Sequence, residues 1–238
     1  RIMEDQMFLD CFGCDVDYSL GNNFADFASQ FSKDSRYRTE LYKLRRKFMS
    51  HADGLIHADL HTSNILASRD EMKVIDMEFA FMGPFGYDLG YLVGNLISQY
   101  CAACFKRFPS EQNRKQFKAY LLATIKSLIE TYMKTFTLCW ERSVKERYRG
   151  QQGLLQSILQ EVMVDMPGYA SMVNWFRSVS DIPYPDFDVI ENKDAKRNAT
   201  VLSLMIDWGI MFGRYKYQSA DDLIETIIGI EEEFRKSL

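Results

Sequence analysis

His57-Ala58-Asp59-Leu60-His61-Thr62-Ser63-Asn64 packs an acid, two imidazoles and a carboxamide into eight residues. Val74-Ile75-Asp76-Met77-Glu78-Phe79-Ala80-Phe81-Met82-Gly83-Pro84-Phe85-Gly86-Tyr87-Asp88-Leu89-Gly90 follows shortly after. A polar loop carrying one carboxylate, then an apolar run ending in two more, suits phosphoryl transfer. That chemistry needs a carboxylate to orient the acceptor hydroxyl and oxygen ligands for magnesium at the ATP phosphates. Magnesium is hard and takes one or two carboxylates plus phosphate oxygens and water. Asp59 suits the first task; Asn64, Asp76 and Glu78 suit the second. On an extended backbone Asp76 and Glu78 would share one face.

Working outward, Ile65-Leu66-Ala67 and Met72-Lys73-Val74-Ile75-Asp76 read as two short strands about the turn Ser68-Arg69-Asp70-Glu71. Upstream, residues 36–51 carry Leu41, Leu44, Phe48 and Met49 at helical spacing, with Arg45-Arg46-Lys47 as the solvated face. Residues 1–34 read as irregular structure with short helices. Downstream, helical periodicity runs over 87–105, 111–139, 151–166, 195–214 and 220–234, with a loop at Pro183 and Pro185. The expected architecture is mainly α with a small β-hairpin, and residues 1–238 read as a single domain.

The motif order resembles the protein-kinase-like small-molecule phosphotransferases, the aminoglycoside phosphotransferase superfamily, whose catalytic loop reads H-G-D-x-H-x-x-N before a metal-binding Asp. Here Ala58 stands where that family has Gly. The run Asp76-Met77-Glu78-Phe79-Ala80-Phe81, then Gly83-Pro84 and Gly86-Tyr87-Asp88, narrows the resemblance to methylthioribose kinases. It covers roughly residues 35–235 and is strongest over 45–100. The resemblance implies the C-terminal lobe of that fold, with ATP and Mg²⁺ as cofactors and a small sugar as acceptor. It implies Asp59 as catalytic base, Asp76, Glu78 and Asn64 at the metal, and His57, His61 and Asp88 as supports of the loop. Methylthioribose kinases tend to have Ser at the Asn64 position; Asn matches the aminoglycoside enzymes. Two adjacent arginines that reach the sugar in methylthioribose kinases correspond here to Phe176 and Arg177, so only Arg177 is expected to bind substrate. An arginine fork is not replaceable by phenylalanine, and this leaves the exact acceptor open.

No glycine-rich phosphate loop and no strand lysine precede residue 57, so an N-terminal β-rich lobe is expected to be needed for a complete ATP site. The net charge of −4 gives no general case for nucleic acid or an anionic membrane as partner. No stretch approaches the roughly 20 apolar residues of a membrane span, and the charged start is unlike a secretory signal. A cytoplasmic protein is the expectation, and a homodimer is left open. Among five cysteines, Cys11/Cys14 and Cys101/Cys104 have zinc-ligand spacing. Cys101 and Cys104 continue the apolar series Leu92, Val93, Leu96, Ile97 and Tyr100, so reduced buried thiols are the favoured reading and structural zinc the alternative. Two other functions stand beside the sugar kinase: a phosphotransferase for an aminoglycoside, choline or another alcohol, and a non-catalytic lobe acting as a binding protein.

Overall fold

The computed structural model describes residues 2–9, 33–179 and 184–238. In chain order these form α1 (Ile2–Glu4, continuing as a π-helical turn to Leu9), α2 (Ser35–Ser50), β1 (Gly54–Ile56), β2 (Ile65–Ala67), β3 (Met72–Val74) and β4 (Phe81–Gly83). Then come α3 (Gly86–Phe105), α4 (Glu111–Ser143), α5 (Gln152–Val179), α6 (Pro185–Asp188), α7 (Lys193–Gly213) and α8 (Ala220–Lys236). The expected kinase-lobe pattern of a helical body carrying short strands is what forms. Among the described residues no helix is long and apolar enough to cross a membrane.

Side-chain caps set several helix starts. Asp34 accepts from the N–H groups of Arg36 and Tyr37, Ser110 from Asn113 and Asn192 from Ala195, while Ser219 and Asp222 cap each other's backbone. Each satisfies donors that the first turn leaves orphaned.

The body is organised by the crossing of α3 and α5. Gly86, Gly90 and Gly94 recur every four residues, so they form one stripe along α3. A Cβ on Gly90 would sit 2.6 Å from both Met166 O and Tyr169 Cβ; one on Gly94 would sit 2.6 Å from Ala170 O. One turn further, Ser98 Oγ donates to Asn174 Oδ1 at 2.7 Å, and Asn174 Nδ2 donates to Asp207 Oδ1 of α7 at 2.8 Å. Complete burial pushes the Asp207 carboxyl well above its ordinary range, against the hydrogen bond from Asn174. The core around this line takes in Val93, Ile97, Met166, Ala170, Leu202 and Ile206. A second apolar cluster joins α2 to the strands: Phe48 packs on Phe81 with centroids 5.0 Å apart and on Tyr87 at 4.7 Å.

Four expectations are corrected. The lone hairpin has company: β2 pairs β3 with Ile65 opposite Val74, but β1 also pairs β4, with Ile56 opposite Phe81. These strands are separated by the whole catalytic stretch, so no turn signal announces them. β3 ends at Val74, before Asp76. The helix expected to stop at residue 166 runs on to Val179 through Pro167. A helix-interior proline costs about 3 kcal/mol, yet Met166, Tyr169, Ala170 and Val173 around it are all buried, and that packing outweighs the cost. Finally, of Arg45-Arg46-Lys47 only Arg46 is fully exposed. Arg45 pairs with Glu4, and Lys47 bridges Glu161 at 2.5 Å and Asp165 at 2.7 Å.

Cys101 and Cys104 are buried free thiols on α3, pushed above the ordinary thiol range by burial. Cys11 and Cys14 lie outside the described residues. Among the described residues no three His, Cys, Asp or Glu side chains are grouped to hold a metal.

Two stability outcomes follow. Gly90→Ala gains about 1 kcal/mol of helix propensity but drives a methyl into the α5 backbone, so urea unfolding should show a net loss of about 1–3 kcal/mol. Gly229→Ala on α8, where a Cβ meets nothing within 4 Å, should instead stabilise. Glu231 is opposed by burial but held down to about 2 by hydrogen bonds from Lys118, Tyr100 and Arg235. A carboxyl depressed by folding stabilises above its unfolded value near 4.5, and that contribution is lost as pH falls through 2. The cost of Glu231→Gln, measured by urea unfolding, should therefore shrink from about 2 kcal/mol near neutrality towards nothing at the acid end.

Candidate active site

The loop before Asp59 is held from α3. Asp88, in the first turn of that helix, accepts from the backbone N–H of His57 at 2.6 Å and of Ala58 at 3.0 Å. Burial pushes the Asp88 carboxyl up, against these two donors that favour its charge. Ala58 is forced to φ +68° and is fully buried. This is left-handed backbone, where an L side chain crowds the next carbonyl and glycine is at ease.

His57 ties the two motifs together. Its Nε2 stands 2.8 Å from Ile75 O and its Nδ1 3.3 Å from the N–H of Asp59. With a carbonyl on one side and an N–H on the other, the ring proton belongs on Nε2. Ile75 is also gripped from behind, its N–H donating to Asn64 O at 3.0 Å. Asn64 is buried and gives its Nδ2 to Asp59 O at 3.0 Å. Thus the backbone just before Asp76 is fixed to the loop that carries Asp59.

Asp59 itself receives the Tyr91 hydroxyl on Oδ1 at 2.8 Å, while His61 Nε2 stands 3.6 Å from Oδ2. Tyr91 lies one turn after Asp88, so the same face of α3 holds both the loop backbone and its carboxylate. Burial, with Tyr87 and Asp59 nearby, pushes the Tyr91 phenol well above its ordinary value, and it remains a donor. Nothing in the motif spacing pointed to Tyr91; its partner is 32 residues away.

Asp76 and Glu78 sit differently from the extended pair expected. Asp76 has φ +64°, and a turn begins at Glu78, so strand alternation does not relate them. Pinning Ile75 at both ends leaves Asp76 to make the bend. Both carboxylates are exposed, and among the described residues neither has a hydrogen-bond or ion-pair partner. Uncommitted carboxylates are the donor type a hard cation takes, but neither Asp76 nor Glu78 is among the described residues lining the cleft at Asp59.

Asp59, His61 and Ser63 open on a cleft of about 370 Å³, whose other walls include Phe79, Tyr91, Phe176, Arg177 and Tyr184. Arg177 belongs to this wall rather than to solvent, its side chain 11% exposed. A larger hollow of about 510 Å³ lies beyond Phe79, between Phe48, Met49, His51 and Met82. Among its described lining residues there is no carboxylate, whereas Asp59 opens on the smaller one.

A helical lobe in which α3 holds an acid-bearing loop beside a second acidic bend is similar to the kinase-like small-molecule phosphotransferases. Residues 22–128 match the phosphotransferase enzyme family, APH. The chain is also similar to methylthioribose kinases. It is 32% identical to the methylthioribose kinase of Geobacillus thermodenitrificans NG80-2 over 97% of this chain and 56% of that protein. Identity is 33% to that of Geobacillus kaustophilus HTA426, over 93% and 54%, and 29% to that of Bacillus cereus B4264, over 93% and 53%. The chain spans about half the length of the curated relatives it matches.

The left-handed turn at Ala58 yields a direct check. Ala58→Gly relieves about 1–2 kcal/mol of left-handed strain but loses a buried methyl and gains unfolded-state freedom, about 1 kcal/mol each, so the net loss should not exceed about 1 kcal/mol. Ala58→Val puts a branched side chain where it does not fit and should cost about 3 kcal/mol. Thermal unfolding of both variants measures the contrast.

Proposed function

We propose that this chain supplies the catalytic and magnesium-binding residues for ATP-dependent phosphorylation of a small sugar hydroxyl, with S-methyl-5-thioribose as the acceptor, in methionine salvage. The observation that carries the reading is Asp59 at the floor of the cleft, one oxygen held by Tyr91 and the other open beside His61. Asp59 orients the acceptor hydroxyl and takes its proton as the bond from the hydroxyl oxygen to the γ-phosphorus forms. The bond to the β,γ-bridging oxygen breaks, with ADP as the leaving group. Asp76, Glu78 and the Asn64 oxygen would hold Mg²⁺, which when bound neutralises charge on the ATP phosphates. His57 and Asp88 keep the loop in shape, His61 stands beside the reacting carboxylate, and Arg177 lies in the acceptor wall.

The relatives' extra length agrees with a further lobe gripping the nucleotide, and the cytoplasm is where ATP and reduced thiols coexist. Asn64 and the Phe176 replacement keep a second reading, an aminoglycoside or choline-like acceptor. Unbroken Asp59, Asp76 and Glu78 speak against a merely binding lobe.

The test uses a polypeptide joining this chain to its nucleotide-gripping lobe. Asp59→Asn should lower kcat for methylthioribose by about two to four orders of magnitude and leave ATP affinity unchanged. Near-normal turnover would remove Asp59 from its role, and turnover only of other alcohols would favour the second reading.

A further inference from the structure

We infer that Phe176 and Tyr184 are the specificity-determining wall of the acceptor cleft, and that Arg177 latches this wall instead of meeting the acceptor. The inference rests on the proposal that the cleft beside Asp59 receives a sugar.

The latch is read from the arginine's partners. Arg177 Nε donates to Asp186 Oδ2 at 2.6 Å, and Nη2 stands 2.5 Å from the same oxygen in an ion pair. The other oxygen, Oδ1, accepts from Gln99 Nε2. The guanidinium carbon lies 4.4 Å from the centroid of the Tyr184 ring, and that ring meets Phe176 edge-on with centroids 5.6 Å apart. Arg177 is thereby bound on its Nε edge and stacked on its face.

Asp186 is 4% exposed. For Arg177 to swing onto a substrate anion, that carboxylate would be left buried and uncompensated, the costly half of a broken ion pair. Among the described residues lining the cleft, Arg177 is the only Lys or Arg and Asp59 the only carboxylate, and Asp59 repels an anion. What the far wall contributes to the cleft is aromatic surface, from Phe176 and Tyr184. Such a wall takes an uncharged alkyl or thioether substituent, sulfur meeting ring edges favourably, and turns away a phosphorylated sugar.

The experiment is calorimetric titration of the protein, without ATP, with methylthioribose, ribose and ribose 5-phosphate. Methylthioribose should bind at least about tenfold tighter than ribose, the scale for one small apolar group, and ribose 5-phosphate no tighter than ribose. Asp186→Asn frees the guanidinium, so ribose 5-phosphate should gain about tenfold while methylthioribose loses affinity. Phe176→Ala, which leaves the latch intact, should erase the preference for methylthioribose over ribose, and circular dichroism checks that each variant is folded. Equal affinities for methylthioribose and ribose in the unaltered protein would overturn the wall. So would tight binding of ribose 5-phosphate, or a folded Asp186→Asn with no gain for it. Selective binding with no ATP-dependent turnover by the polypeptide joined to its nucleotide-gripping lobe would sink the kinase reading alone, and turnover of an alcohol with no such selectivity would sink the wall alone.

Discussion

The approach of α3 to α5 at Gly90 and Gly94 is the constraint on which the remaining architecture hangs. Helices pack at close range only where side chains are missing, and here the α5 backbone at Met166 and Ala170 occupies the place of two Cβ atoms. Gly90 lies between Asp88, which grips the backbone of the loop, and Tyr91, which grips the carboxylate of Asp59. The same α5 carries Phe176 and Arg177 three turns further along, in the opposite wall of the cleft. One helix crossing therefore sets both the floor and the wall of the site, and the buried polar line from Ser98 through Asn174 to Asp207 ties α7 to it.

Above that crossing the site is held by backbone rather than by bulk. Ala58 and Asp76 are the described non-glycine residues with positive φ, one beside Asp59 in the loop and the other at the second acidic motif. Such conformations persist only where surroundings over-determine them. Asp88 does this for Ala58, and His57 with Asn64 does it for Asp76 by fixing Ile75 at its carbonyl and its N–H. The two acidic motifs are thus one hydrogen-bonded unit, although ten residues of hairpin, 65–74, separate the anchored Asn64 and Ile75.

Much of this was legible before any coordinates. The β2–β3 pairing, the long helices and the clustering of chemistry in 57–90 follow from local periodicity and residue type. What escaped depends on distance along the chain. Tyr91 reads as one more apolar helix position until Asp59 is found opposite it. Arg177 reads as a substrate ligand or a surface residue until Asp186, itself inside a short helix after a proline, is found to claim it. Pro167 reads as a helix stop because its local cost is plain while the packing that outweighs it comes from other helices. The bend at Asp76 was hidden for a similar cause, since nothing in Val74-Ile75-Asp76 discloses that both ends of one peptide are tethered.

The alanine at position 58 also bears on how such a loop drifts over generations. Glycine and alanine codons differ by a single base at the second position, so the replacement is a one-step change. Its conformational strain and its added burial nearly offset each other. Selection acting on stability is consequently almost blind to that step, and lineages can cross it in either direction without passing through an unfolded form. Every other residue reachable from alanine by one base carries a larger or branched side chain except glycine and serine, so the position is a narrow corridor: open to a few small residues, closed to the rest.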